Sequence, residues 1–424
     1  MLKRFIVSFI ILNNLKKNII IFNIIYLYMY KNNILSLNKY FSKDLIFFIK
    51  IIFILLIIYF LFFYLNNSSY QEYFVSNNFN EFKYFRCDDK KIGKITGEIL
   101  DKYNIQKENN NWNIYVPCGY NLVEQELMTI NLNNTSNKNK KFIFGINGCD
   151  NIVSKNKIWE SLVKCYGLDK ASTLMPESFV LGKNIDFSKF KKKFKPTNIY
   201  ILKKNIQRKE GLKLTSDYNE IINAYQENYR VAQLYLKNLY LINRRKVNLR
   251  IYLLVVCKNN KKYFYISKIG KCIYTKKEYN DDNFDFESNI TSYHLDMNVY
   301  KSNPRSFEEL YEYINKKEGN QFAGFNLGKK IYDLMVDVSK CISHSIFQSP
   351  NLMKSTTFQI FGADVIFDSN LHPYLLEFNK GPDMIPRDDI DKEMKTTVQE
   401  DMFKTVGLLP KDNKENVFTE IYHT

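Results

Sequence analysis

"FQIFGADVIFDSNLHPYLLEFN", residues 358–379, is two apolar runs separated by a polar break. Turn-forming residues cluster at "DSNLHP", so the stretch reads as a β-hairpin. If Asp364 faces Glu377, the midpoint falls at 370–371, inside that turn signal. Side chains alternate along a strand with period two, so Glu377 and Asn379 share one face. Tyr374, Leu376 and Phe378 then take the opposite, core-packed face. On the first strand Asp364 lies across from Glu377, while Ala363, Val365 and Phe367 point the other way.

Two facing carboxylates and an amide oxygen make a hard, oxygen-only site suited to Mg²⁺. Opposed without a cation they would repel, and one would hold its proton. Mg²⁺ held by few protein ligands usually also carries phosphates, so the chain should supply cations to meet them. Lys203 ends the strand "IYILKK", 199–204, beside the basic loop "QRKEG", 207–211. "NRRKVNLRIYLLV" places Lys246, Asn248 and Arg250 on one face at the start of a buried strand. Arg suits bidentate phosphate contact and Lys acts as a point charge. Neither GxxxxGKS nor GxGxxG occurs, which argues against P-loop and Rossmann phosphate binding.

The rest of the 424 residues bounds the problem. An apolar content of 45% supports one large core or two to three domains. Lys and Arg number 61 against 44 Asp and Glu, a net charge of +17. That excess favours acidic partners, although an AT-rich coding sequence, rich in Lys, Asn, Ile, Phe and Tyr, gives the same excess without selection for binding. A nucleic-acid role has net charge alone in its favour and no recognised motif. Seven widely spaced cysteines without a CxxC pair signal neither a disulfide framework nor a zinc site, and suggest a reducing compartment.

Residues 45–65, "LIFFIKIIFILLIIYFLFFYL", match the length of a transmembrane helix. Each Leu, Ile or Phe contributes roughly −0.3 to −0.6 kcal/mol, outweighing about +3 kcal/mol for Lys50. The expectation is a single-pass membrane protein. Lysines and Arg4 in 1–43 favour a cytosolic N-terminus by the positive-inside rule, whereas a phosphate-bearing ligand and a reducing compartment place the large domain in the cytosol. A second apolar segment at 18–30 would reconcile the two by forming a hairpin, and the topology stays open.

Downstream, 66–141 reads as a linker and N-terminal lobe, with a strand at 112–117 and a polar boundary at 131–141. From 142 the pattern is α/β: strands at 142–146, 178–181, 199–204, 229–236 and 248–257, and a hairpin partner at 260–274. Helices are expected from residue 155 to 165, at 306–317 and at 327–347. The expected divisions are 1–44, a basic and apolar segment; 45–65, the membrane helix; 66–141, the linker and N-terminal lobe; 142–410, the α/β domain that holds the metal and phosphate residues; and 411–424, a tail.

Taken in order, "MPESFVL", "YILKKNIQRKEGL", "VAQLYLKNLYLINRRKVNLRIYLLVV" and "FQIFGADVIFDSNLHPYLLEFNKGPDM" resemble the tubulin–tyrosine ligase-like family of ATP-grasp ligases. The resemblance implies an α/β (α+β) fold, an ATP-grasp fold with mixed and antiparallel sheets, here preceded by the transmembrane helix. It also implies ATP and Mg²⁺ as cofactors, with Asp364, Glu377 and Asn379 holding the metal. Lys203 would contact nucleotide phosphates, and Gln233, Leu234, Tyr235 and Leu236 would form the hinge whose backbone reads adenine. Lys246 and Arg250 match the catalytic "rKfDlR" segment, with Arg250 near the γ-phosphate. The implied reaction joins a free amino acid to a protein carboxylate through an acyl phosphate, the acceptor being an acidic, tubulin-like tail. Three departures stand out: Asn248 in place of the segment's Asp, Ile273 in place of an Arg, and "NITS", 289–292, in place of "HLTN". They keep a second reading alive, a membrane-tethered pseudo-ligase that binds ATP without joining anything.

Overall fold

The computed structural model describes residues 82–87, 92–130, 140–182, 184–206, 211–280, 284–291 and 297–424. Its strands in chain order are β1 (Lys83–Phe85), β2 (Gln106–Lys107), β3 (Ile114–Tyr115), β4 (Phe142–Phe144), β5 (Ser178–Val180), β6 (Tyr200–Lys204) and β7 (Leu212–Thr215). Then follow β8 (Tyr229–Leu234), β9 (Val247–Lys258), β10 (Lys261–Ser267), β11 (Lys271–Tyr274), β12 (Thr356–Phe367), β13 (Pro373–Asn379) and β14 (Phe418–His423). The α/β class and the mixed and antiparallel sheets match the expectation.

A large mixed sheet has β9 and β12 at its centre, in the order β14-β10-β9-β12-β4-β3-β1-β2. β12 is long enough to change partners along one edge. Its first residues pair in parallel with β4, and its second half pairs antiparallel with β13, while β9 runs along the other edge. β9 does the same with two shorter strands, β10 against Leu253–Lys258 and β11 against Val247–Arg250. The expected single partner at 260–274 is therefore two strands, broken near Gly270. A Cβ at Gly270 would lie 2.4 Å from the Arg250 carbonyl oxygen and 2.3 Å from the Phe307 ring, so only glycine lets the chain pass. The sheet takes strands from both sides of the boundary expected at 131–141, and β14 from the expected tail closes onto β10.

Alternation along the two central strands builds two cores. Leu249, Ile251, Leu253 and Val255 of β9 join Phe361, Ala363, Val365 and Phe367 of β12 under the helices Lys155–Leu174, Phe307–Glu318 and Ala323–Ile342. On the other face Tyr252, Leu254, Val256, Phe358 and Ile360 pack beneath the helices Lys94–Lys102 and Asp389–Val406. Those helices do not reach the start of β9, so Lys246, Asn248 and Arg250 open into a cavity instead. The antiparallel sheet β5-β8-β6-β7 forms the opposing wall.

Two expectations are corrected. Among the described residues no helix is long and apolar enough to cross a membrane; residues 18–30 and 45–65 lie outside them. The membrane helix and the single-pass location are accordingly dropped. The described long helices are one-sided: Leu327, Ile331, Leu334 and Val338 of Ala323–Ile342 are buried, and Lys329, Lys330 and Asp333 lie on the outer side. The cysteines also differ, since Cys87 pairs with Cys118 and Cys165 with Cys341 in disulfides. Partners 31 and 176 residues apart leave no spacing signal, because only the tertiary fold brings them together.

Candidate active site

Register aligns one rung of charge across four strands. Lys271 of β11 faces Arg250 of β9, Arg250 faces Asp364 of β12, and Asp364 faces Glu377 of β13. The guanidinium grips the aspartate with two bonds, Nε to Oδ1 at 2.7 Å and Nη2 to Oδ2 at 3.3 Å. Asn379 Nδ2 donates to the same Asp364 Oδ2 at 3.2 Å, which leaves the amide oxygen free to face the cavity. The Asp364–Glu377 pairing expected from the turn is thus present.

Strict alternation along β13 is not. The register shifts between Asp364 and Val365, so Val365 pairs with Leu375 and Leu376 is bulged out. Leu375 enters the core and Tyr374 is only half-buried, whereas Leu376 lines the cavity beside Glu377. The bulge frees the Leu376 carbonyl, which accepts from Lys203 Nζ at 3.3 Å.

A lysine that sequence reasoning passed over completes the acidic end. Lys155 Nζ lies 3.4 Å from Glu377 Oε2 and donates to the Ile206 carbonyl at 3.0 Å. It is the first residue of helix Lys155–Leu174. A cation there opposes the helix dipole, and that misfit is the signal that could have found it.

The opposite wall carries the other expected residues. Lys246 Nζ sits over the Tyr235 ring, 4.6 Å from its centroid, and 3.3 Å from the phenol oxygen. Gln233 is held by Ser178 Oγ at 2.9 Å and the Pro176 carbonyl at 3.3 Å. Its side chain is thereby committed to the fold. Leu234 closes β8, and Leu236 lies two residues beyond its end. Asn248 Nδ2 donates to Thr291 Oγ1 at 3.0 Å, but its buried Oδ1 has no hydrogen-bond partner among the described residues. Of the segment "NITS", Ser292 lies outside the described residues, and Asn289 accepts from the Tyr235 hydroxyl.

Lys155, Lys203, Gln233 to Leu236, Lys246, Asn248, Arg250, Lys271, Asp364, Glu377 and Asn379 line one cavity of about 1610 Å³. That exceeds the ~300–1,000 Å³ of a typical single-ligand site, so it has room for more than one molecule. Burial pushes Lys203 down to about 8 and Lys246 down to about 7, the latter helped by repulsion from Lys203. Among the described residues neither has a carboxylate within ion-pair distance; their polar contacts are a carbonyl and a phenol. Burial also lifts the Asp364 carboxyl above its usual range, against the pull of Arg250. For Glu377 burial acts the same way, but Lys155, Lys203 and Arg250 outweigh it and hold the group low. The two carboxyls are thus pushed apart, as expected for facing acids.

The profile of the tubulin-tyrosine ligase family matches residues 104–416, most of the chain. The chain belongs to that family. Among its relatives within and around the family is tubulin glycylase 3F of Tetrahymena thermophila, 27% identical over 229 residues, covering 49% of this chain and 25% of that protein. Human tubulin polyglutamylase TTLL5 is 24% identical over 298 residues, covering 64% of this chain and 22% of its own length. A probable tubulin polyglutamylase, TTLL9 of Mus musculus, is 28% identical over 189 residues, covering 43% of this chain and 39% of that protein. The chain therefore spans only about a quarter of the first two relatives.

Proposed function

We propose that this tubulin-tyrosine ligase family member is an ATP-dependent carboxylate–amine ligase that adds an amino acid to a protein carboxylate, on an acidic, tubulin-like tail. The observation that carries this reading is the pair of buried lysines, Lys203 and Lys246, without ion-pair partners among the described residues and facing the cavity that holds Asp364 and Glu377. Buried cations of depressed pKa lack a counter-anion, and a polyphosphate supplies one. Relatives named as glycylases and polyglutamylases of tubulin support the acceptor.

In this reading Lys203, Lys246 and Arg250 bind phosphates, and the backbone from Gln233 to Leu236 takes the adenine. Asp364, Glu377 and the free amide oxygen of Asn379 fit Mg²⁺, being hard oxygen donors on adjoining strands. Bound Mg²⁺ would neutralise charge on the phosphoryl oxygens. Arg250, fixed by two bonds to Asp364, is preorganised to stabilise charge that develops on the transferred phosphoryl group. The acceptor carboxylate attacks the γ-phosphorus, ADP leaves, and an amine then displaces phosphate from the acyl phosphate to give an amide. No covalent nucleophile is required of the chain. Incubation with ATP, amino acids and tubulin, followed by mass spectrometry of the tails, tests this: added residues support it.

One observation favours a second reading, a module that binds ATP without ligating. Asn248 stands where the family segment carries Asp, and its Oδ1 is unsatisfied. ATP binding with neither mass addition nor ADP release would support that reading instead.

A further inference from the structure

The nucleotide reading uses one end of the cavity and leaves the other unassigned. Beyond Arg250 on the same face of β9 comes Tyr252, about 7 Å further along the strand. Its side chain is 1% exposed, it lines the cavity, and its hydroxyl makes no hydrogen bond among the described residues. A hydroxyl that opens onto the cavity without a protein partner is available to hydrogen-bond a ligand or water there.

The backbone around it is shaped for close approach. Tyr252 faces Gly362 in the register, and Gly362 faces Asn379. A Cβ on Gly362 would lie 3.0 Å from Arg250 Cδ and 3.2 Å from Pro382 Cβ. Glycine there lets the segment after β13 fold back over the strand, and Asp383 follows Pro382 directly. Asp383 Oδ2 binds Arg387 Nη2 at 3.0 Å, and both side chains line the cavity while staying partly open, at 22% and 34% exposure. Tyr252 lies in the field of Arg250, which pulls its pKa down, and of Asp391, Asp383 and Asp364, which push it up, with burial the largest effect. Asp391 is taken up by Lys271 and Lys395, at 3.0 and 2.9 Å, and its side chain is fully buried. The Asp383–Arg387 pair, by contrast, stays open to the cavity, with Lys395 Nζ 3.9 Å from Asp383 Oδ2 and the Ile385 N–H donating to Asp383 Oδ1 at 3.0 Å.

We propose that Tyr252, Asp383 and Arg387 form the subsite for the free α-amino acid that supplies the amine. The inference rests on the ligase reading. A zwitterion needs an anion for its ammonium and a cation for its carboxylate, close together, and the Asp383–Arg387 pair offers both. Tyr252 gives a neutral hydrogen bond between that pair and Arg250. The site lies on the side of Arg250 away from Lys246, so amine and nucleotide approach the rung of charge from opposite directions.

The test is a titration of each proteinogenic amino acid in turn into the full chain saturated with a non-hydrolysable ATP analogue and Mg²⁺. The analogue's own affinity is measured separately. Tyr252→Phe should weaken amino-acid binding about three- to tenfold, and Asp383→Asn about tenfold or more. Both should leave nucleotide affinity unchanged. Tyr252→Phe removes one unpaired hydroxyl, so an unaltered melting temperature separates lost binding from lost folding. Unchanged amino-acid binding in both variants, or no amino-acid binding by wild type that takes up nucleotide, would overturn the inference and leave the nucleotide site standing. Failure of wild type to bind nucleotide would overturn the ligase reading and this subsite with it.

Discussion

Arg250 and Asp364 are cross-strand partners at the centre of the large sheet, joined by two hydrogen bonds of 2.7 and 3.3 Å. Their side chains are only 18% and 14% exposed, so the pair is held away from bulk water. Lysine would keep the charge but lose the fork that holds both carboxylate oxygens. Arg250→Lys should therefore fold and lose about ten- to a hundredfold in turnover, the equivalent of ~1.5–3 kcal/mol for a charge-assisted bond. Steady-state ATP consumption with a competent acceptor measures it.

Lys246 and Lys203, with pKa values near 7 and 8, make nucleotide binding a protonation event. A bound polyanion raises both values. At pH 8 the free lysines are partly neutral, so binding should draw protons in, whereas at pH 6 both are already charged and uptake should vanish. Calorimetry in two buffers of different ionisation enthalpy reads the difference. The same depression makes the unfolded chain bind more protons between about pH 7 and the usual lysine range near 10.4. These two lysines should therefore make stability rise with pH across that window.

Asn248 lies near the start of β9, two residues from both Lys246 and Arg250, and its Oδ1 has no partner among the described residues. Asn248→Asp would place a negative charge there and raise the Lys246 pKa. The variant should show less proton uptake on binding nucleotide at pH 8 than wild type, by the same calorimetric comparison.

The disulfide between Cys165 and Cys341 ties helix Lys155–Leu174, which begins with Lys155, to helix Ala323–Ile342 across 176 residues. Cys165→Ser should cost about 2–5 kcal/mol of stability, by restoring freedom to the unfolded chain. Thermal melts should show a lower transition for the variant, and a reductant should lower wild type more than the variant.

Local pattern carried much of this fold. The hairpin, the Asp364–Glu377 pairing and the cationic face of β9 follow from period-two alternation and turn chemistry, both readable within a few residues. The role of Leu376 was hidden because a bulge resets the phase of a strand without changing its composition. Lys155 was hidden because its partner Glu377 is over two hundred positions away, and a lysine on a helix reads as solvated. Cys165 and Cys341 were hidden for the same reason. The apolar run at 45–65 lies outside the described residues, and among those no helix is long and apolar enough to cross a membrane.

Lys203 and Lys246 share a single cavity with Asp364 and Glu377, and nucleotide binding is expected to need both sets of charges. The most direct measurement is calorimetric titration of MgATP into the full chain and into Glu377→Ala. Saturable binding by wild type, weakened at least tenfold in the variant, is the predicted result. Equal affinity for the two proteins, or no binding by either, would contradict it.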